Sequence, residues 1–371
     1  MDFNDEDTVY KVAATMIPGV GAAGIRKLVT KCGSLRSLFE DTDALEDGNA
    51  IPSRIADAIR ANSLINKAKA QIEICQNRNI GILHILDHNY PRRLAQCDGA
   101  PTLLYTFGNV NLDSSRTIGI VGTRSCDSDG RNNIFALIEK LKADNINVIV
   151  ISGLALGADT YAHQAAVQYG LQTVAVLGHG LNMIYPAENR KLAGDIVHSG
   201  GALITEYYYG QPVNKINFPR RNRIIAGLCD ALIVAQSKIK GGALITADDA
   251  RRFRRDVFAF PGRTSDRLYA GCNYLIANNL ASLITNADDL EKMMGWHLLK
   301  KKSPVQTELN LMPLSPEEVA VIDVLRSNGP SFIDTIAAMT KMPIPELSSL
   351  LLDMEFKDLV MSQPGNKYEA R

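Results

Sequence analysis

Between residues 117 and 260 the chain carries six short runs that are almost continuously apolar: 117–122 (TIGIVG), 147–152 (NVIVIS), 173–178 (TVAVLG), 202–205 (ALIT), 231–235 (ALIVA) and 257–260 (VFAF). A strand with one wet face alternates apolar and polar side chains. A run that is apolar throughout suits a parallel strand covered on both faces. The stretches between the runs are long enough for crossover helices, so the pattern predicts an open α/β sheet. On such a sheet ligands bind in the loops that follow the carboxyl ends of the strands.

The flanks read differently. Residues 8–75 repeat their apolar positions at helical spacing. Within them, MIPGVGAAGIRKLV (16–29) places Pro18-Gly19-Val20-Gly21 as a tight turn between two short helices. This is similar to a helix-hairpin-helix, whose glycines let backbone amides approach a phosphate. The same glycines also suit a turn kept for geometry alone. Residues 297–312 form a polar break without a period and read as a linker. Beyond it, helices over 316–327, 331–340 and from 344 to about 356 precede two short β-like pieces around Pro364-Gly365-Asn366, the layout of a winged helix. The expected division is a helical segment over 1–76, a Rossmann-like domain over 77–296, the linker, and a winged-helix-like domain over 313–371.

A length of 371 residues allows two or three domains, and 46% hydrophobic with 22% charged residues is ordinary globular composition, which excludes a fibrous or largely disordered chain. The acidic start MDFNDEDTVYKV is unlike a signal peptide, and no apolar run reaches the length of a membrane helix. The six cysteines are scattered without a CxxC or Cys/His cluster, so no metal site or cofactor is expected, and free thiols in a reducing cytoplasm are.

Lys+Arg and Asp+Glu both number 40, which speaks against a strongly basic nucleic-acid binder. The sum is an average. Residues 1–50 and residues 313–371 each hold five basic and nine acidic side chains, and residues 51–312 hold thirty basic and twenty-two acidic ones. The basic excess is densest over 213–256, with ten Lys/Arg against four Asp. A basic patch on the central domain is the footprint of a polyanion partner.

The loops after the apolar runs supply the candidate chemistry. Gly122-Thr123-Arg124 closes the first run, where glycine lets a ligand approach and arginine can grip a phosphate with two prongs. Ser152-Gly153 opens SGLALGAD, whose Gly157 precedes a helix start able to hold an anion. Asp159 and His163 lie four residues apart on that helix, a spacing open to a catalytic pair or to a structural one. The stretch GHGLNMIYPAENR (178–190) suggests a shaped cavity wall. Glu206 is a possible base or a loop organiser. In NFPRRNRIIAG (217–227), Arg220, Arg221 and Arg223 cluster beside Phe218, suited to phosphate contacts with a base stacked on the ring. In Lys238-Ile239-Lys240-Gly241-Gly242, lysines precede a glycine pair that opens a further helix. The basic run Arg251-Arg252-Phe253-Arg254-Arg255 at that helix's end also suits its dipole.

In this order, VGTR, SGLALGAD, VAVLGHGLNMIYP, ITEY, FPRRNRIIAG, GGALITA, FPG and GCNYLI closely resemble the DprA (Smf) family of DNA-processing proteins, densely over about 80–295. The resemblance implies an extended Rossmann-like domain flanked by a SAM-like helical domain and a winged helix. It implies binding of single-stranded DNA without marked sequence preference, protection of that strand, a homodimer through the Rossmann-like domain, and loading of the RecA recombinase in natural transformation. By motif matching, DNA contacts fall on Gly122, Thr123, Arg124, Ser152, Gly153, Gly157, Phe218, Arg221, Asn222, Arg223, Lys240, Gly241 and Gly242, with Arg220 ranked lower.

Two other readings stand beside it. The sheet type also resembles nucleotide-monophosphate hydrolases of the lysine-decarboxylase-like group, but IKGGALITADDA lacks the glutamate of their PGGxGTxxE motif, the group that does their chemistry. A winged helix could read duplex DNA as a regulator. Its expected recognition helix, IPELSSLLLDMEF, has three acids and no Lys or Arg, which suits a protein contact better than phosphates.

Overall fold

The computed structural model describes residues 7–41, 51–61, 63–114, 116–296, 314–357, 359–363 and 366–370. The chain forms two compact units, Met1–Leu299 and Lys300–Arg371. The expected linker and the Pro364-Gly365 turn lie outside the described residues.

The first unit opens with helices α1 (Thr8–Thr15), α2 (Ala22–Cys32), α3 (Leu35–Glu40), α4 (Ser53–Arg60) and α5 (Ser63–Asn77). The expected turn separates α1 from α2, and Gly19 at φ +81° takes the left-handed backbone there. Next come β1 (Gly81–His84), the single turn α6 (Arg92–Ala95) and β2 (Leu103–Gly108). Then β3 (Thr117–Gly122), α7 (Ser128–Ala143), β4 (Ile149–Ser152), α8 (Ala158–Gln168), β5 (Thr173–Val176), α9 (Arg190–His198) and β6 (Ala202–Thr205) alternate. They continue with α10 (Asn217–Leu228), β7 (Ala231–Gln236), α11 (Gly242–Arg252), β8 (Asp256–Ala259), α12 (Ala270–Ala277), the two-residue β9 (Ser282–Leu283) and α13 (Ala287–Met293). Each of the six apolar runs becomes a strand, and β4 to β7 are buried at every position.

One sheet has the order β1-β2-β6-β5-β4-β3-β7-β8-β9. From β6 to β9 all neighbours are parallel, while β2 runs antiparallel to β6 and β1 antiparallel to β2. The chain steps outward from β3 through β6 and then returns to lay β7 on the other side of β3. Beyond the carboxyl ends of β3 and β7 the connections therefore leave in opposite directions and open a crevice, the position where open α/β sheets take their ligands. The β3–β7 register also slips between Val121 and Gly122, and the Thr123 amide bonds Gln236 O at 2.7 Å.

The amino-terminal helices do not have a core to themselves. Ile25, Leu38, Ile72 and Cys75 pack in one cluster with Ile82, Leu103 and Tyr105 of β1 and β2. Lys11 pairs with Asp87 at 2.8 Å, and Arg26 donates to Ala95 O, so polar ties run in the same direction.

The second unit consists of α14 (Pro316–Asn328), β10 (Ser331–Phe332), α15 (Ile333–Thr340), α16 (Ile344–Phe356), β11 (Val360–Gln363) and β12 (Lys367–Ala370), with the three strands in the order β10-β12-β11. It is a winged helix. Ser315 and Glu318 close a capping box at the start of α14, with Pro316 in the first turn where a missing amide costs nothing. Val321, Leu325, Ile336, Leu347, Leu351 and Met354 form its core. All six cysteines are free.

Candidate nucleic-acid interface

A groove of about 520 Å³ lies at the crevice between β3 and β7. Four segments build it: the β3–α7 loop with Gly122, Thr123 and Arg124, the β4–α8 loop and the start of α8 with Ala155 and Asp159, Lys215 and the start of α10 with Phe218, Pro219, Arg221 and Asn222, and the β7–α11 connection with Ser237, Lys238, Lys240, Gly241 and Gly242. Gly122 is required because a Cβ there would meet the Ala158 Cβ at 2.6 Å and Gln236 O at 3.0 Å. Pro219 is accommodated in the first turn of α10, where no intrahelical donor is needed. Gly241 caps α11 in extended backbone, and the first amides of a helix lack partners within it, so Gly242 and Ala243 set donors in the groove wall.

Arg124, Lys215, Lys238 and Lys240 line this groove with exposed side chains. Among the described residues no carboxylate pairs with any of the four. The half-buried Phe218 ring sits among them, with the Arg124 guanidinium carbon 5.9 Å from its centroid and Tyr185 on another side at 5.5 Å. It rests against Gly178, whose added Cβ would stand 3.0 Å from the ring. A concave surface with unpaired cations and an aromatic face holds phosphates electrostatically and stacks bases.

Arg221 lines the floor and is 3% exposed. Its Nη1 donates to Gly153 O at 2.6 Å and to Val176 O, and its Nε to Asn222 Oδ1 at 3.0 Å. The side chain thus fastens α10 to the ends of β4 and β5 and fixes where Phe218 stands. Burial pulls its pKa down to about 10, with Asp159 opposing, so it stays charged at neutral pH. Burial also raises the pKa of Asp159, and Arg221 works against that rise.

Nine of the thirteen expected contact residues line the groove: Gly122, Thr123, Arg124, Phe218, Arg221, Asn222, Lys240, Gly241 and Gly242. The other four do not. Ser152 is fully buried and bonds Ile120 O at 2.7 Å. Gly153 gives its carbonyl to Arg221. Gly157, at φ +79°, brings α8 under the β3–α7 loop, where a Cβ would stand 2.4 Å from Thr123 O, and the Ala158 amide bonds that same carbonyl. These residues shape the groove from below, and the helix-start amide expected to hold an anion is used inside the protein. Arg223 points elsewhere. Its Nη1 and Nη2 bond Glu206 Oε1 and Oε2 at 2.7 and 2.6 Å, and its Nε bonds Gly99 O at 2.7 Å. Burial works against its charge, but the hydrogen bonds and the charge of Glu206, with Tyr207 and Tyr90 adding, together outweigh it, so its pKa is raised. Arg220 faces the same side, in a smaller pocket with Asp98, Asp249 and Arg252.

The possible catalytic groups are engaged as structure. His163 Nδ1 meets Thr173 Oγ1 at 2.7 Å, and Glu206 is the organiser that holds Arg223. Of the basic run at the end of α11, Arg252 pairs with Asp248 one turn back, the local role that a helix end suggests, whereas Arg255 donates to Gly227 O of α10 and to Arg93 O. Lys215, Lys238, Ser237 and Ile245 are groove residues that the motif-based set omits. Lys238 stands within the same loop as Lys240, and Lys215 one turn before Phe218, so proximity to each motif was the available signal.

A family model described as DNA recombination-mediator protein A matches residues 81–295, and one described as the DprA winged helix domain matches 305–366. Among curated relatives, the DNA processing protein DprA of Streptococcus pneumoniae is 41% identical over 56% of this chain and 71% of its own length. Protein Smf of Escherichia coli is 32% identical over 76% of this chain and 75% of its own. The X-ray structure of the S. pneumoniae protein superposes with a TM-score of 0.59 at 32% identity, covering 76% of this chain and 96% of that one. A structure of DNA processing protein A from Helicobacter pylori, described for its single-stranded DNA binding mode, gives 0.53 at 26% identity, covering 59% and 96%. A basic crevice at the strand-order reversal, within the segment that the recombination-mediator model matches, and a matched winged helix in the same chain place the protein in the class of DNA recombination mediators. The chain belongs to the DNA-processing protein A family, DprA or Smf.

Proposed function

We propose that the β3–β7 groove binds single-stranded DNA without sequence preference, and that the chain protects such strands and loads a RecA-type recombinase on them in the cytoplasm, as in natural transformation. One observation carries the reading: four exposed cations, without carboxylate partners among the described residues, line one crevice with an aromatic ring. Phosphates lie against Arg124, the lysines and the α11 amides, and a base stacks beside Phe218. The single-strand binding described for the H. pylori relative supports it. A homodimer through the larger unit would join two grooves and raise avidity for strands that reach both.

The test is a titration of the purified chain with single-stranded and duplex oligonucleotides at several salt concentrations. Preference for the single strand and a steep loss with salt are expected, and equal or salt-independent binding of both forms would refute the assignment. RecA filament assembly on strands coated with single-strand-binding protein, with and without the chain, tests the loading step. Light scattering tests the dimer. Nucleotide-monophosphate hydrolysis assayed on the same sample tests the hydrolase reading, for which the groove offers no glutamate.

A further inference from the structure

The loop from residue 177 to residue 189 between β5 and α9 carries the GHGLNMIYP motif, of which the groove uses only Gly178, beneath Phe218. It is tightly organised. His179 is fully buried, its Nδ1 bonds Gly180 O at 3.0 Å and its Nε2 accepts the Tyr185 amide at 3.2 Å. Thr205 Oγ1 bonds His179 O at 2.9 Å, which ties the loop to the end of β6. Burial keeps the His179 pKa below its ordinary value, so Nε2 remains an acceptor at neutral pH. This anchored backbone presents a large side chain outward: Tyr185 is 46% exposed. Its ring stands 5.5 Å from that of Phe218 at an interplanar angle of 46°, just beyond the groove wall.

Phe218 is the more enclosed ring, with Gly178 beneath it, the Arg124 guanidinium near it and Tyr185 alongside. A base leaving the groove past Phe218 meets Tyr185 next. A held backbone with a free aromatic face loses little entropy on stacking, and every base offers a π-face. Resting on the single-strand reading above, we propose that Tyr185 is a second base-stacking platform, so that the site takes neighbouring bases on Phe218 and Tyr185 while the cations hold the phosphates. The Tyr185 ring contributes through the base, not through charge.

That distinction sets the experiment. Wild type, Tyr185→Ala and Tyr185→Phe are titrated with a short oligothymidylate and with an abasic strand of equal length at several salt concentrations. Tyr185→Ala is expected to lose about ten-fold in affinity for oligothymidylate. It should leave the salt slope unchanged and bind the abasic strand like wild type, and Tyr185→Phe should restore oligothymidylate binding. An unchanged affinity of Tyr185→Ala, an equal loss on the abasic strand, or a shallower salt slope overturns the platform. A wild-type chain that binds neither strand overturns the single-strand reading and the platform together. Photo-crosslinking of the unmutated chain to a strand carrying 5-iododeoxyuridine needs no variant to fold: an adduct on Tyr185 is expected, and adducts that spare Tyr185 overturn it.

Discussion

Arg223 and Glu206 hold one another through two parallel hydrogen bonds at 2.7 and 2.6 Å. The pair lies beside the groove and not in it, since neither residue lines the crevice. An arginine two positions after Arg221 in a family motif therefore serves the fold, while Arg124, from a different loop, is left free for a ligand.

Substituting the two arginines should separate these roles. Arg124→Ala should weaken single-strand binding and lower the salt slope by about one contact. Arg223→Ala should keep the slope and instead lower stability by about 1–2 kcal/mol, because it strands a half-buried carboxylate. Denaturant unfolding and salt-dependent titration of both variants check the contrast. A reduced slope in Arg223→Ala alone would reverse the assignment.

Gly153 is closed to any side chain. A Cβ there would stand 2.4 Å from Arg221 Nη2 and 2.5 Å from its Cζ. Gly153→Ala must push the guanidinium off the β4 and β5 carbonyls, so it should cost about 1–3 kcal/mol and shift α10 with it. The expected result is a lower unfolding midpoint together with weaker single-strand binding, measured on one preparation.

Stability should fall on mild acidification. Burial lowers the pKa of His163 to about 3, with Arg221 adding to the shift, and burial lowers that of His84 to about 4, against an ordinary 6.5. The folded chain keeps both neutral while the unfolded chain takes up protons below 6.5. Each histidine thus removes up to about 1.4 kcal/mol per pH unit as pH drops from 6.5 toward its folded pKa. Unfolding midpoints measured from pH 7.5 down to 5 should decline, and His163→Gln should flatten that decline by one histidine's share.

Helix α16 exposes Glu346 and Asp353 and contains no Lys or Arg. Lys357, just beyond it, is paired with Glu318 at 2.6 Å. A chain ending at residue 299 should therefore retain the full chain's single-strand affinity, and Glu346→Lys with Asp353→Lys in the full chain should raise duplex binding. A mobility-shift comparison of the three proteins decides it.

The sequence pattern reveals the parallel sheet because strands covered on both faces are apolar throughout, as in 117–122 and 231–235. It does not reveal β1, β2 and β9: β1 and β2 are the antiparallel border of the sheet, outside the continuously apolar runs, and β9 has only two residues. Groove residues supplied by loops are legible as motifs, since glycine and basic residues have few other uses there. The division among the arginines is not legible from clustering. It lies in helix geometry: Phe218, Arg221 and Asn222, three and four residues apart, share one face of α10, whereas Arg220 and Arg223 share another. Their partners, the carbonyls of Gly153 and Val176 and the carboxylate of Glu206, come from distant strands that no local pattern names.

The core shared by α1–α5 with Ile82, Leu103 and Tyr105 has a practical meaning. Cutting the chain ahead of β1 would uncover a sheet border of greasy side chains, a surface on which copies stick to one another. A piece starting at α1 should therefore stay soluble at concentrations where one starting at β1 aggregates, with the helical segment shielding the very sheet that carries the site.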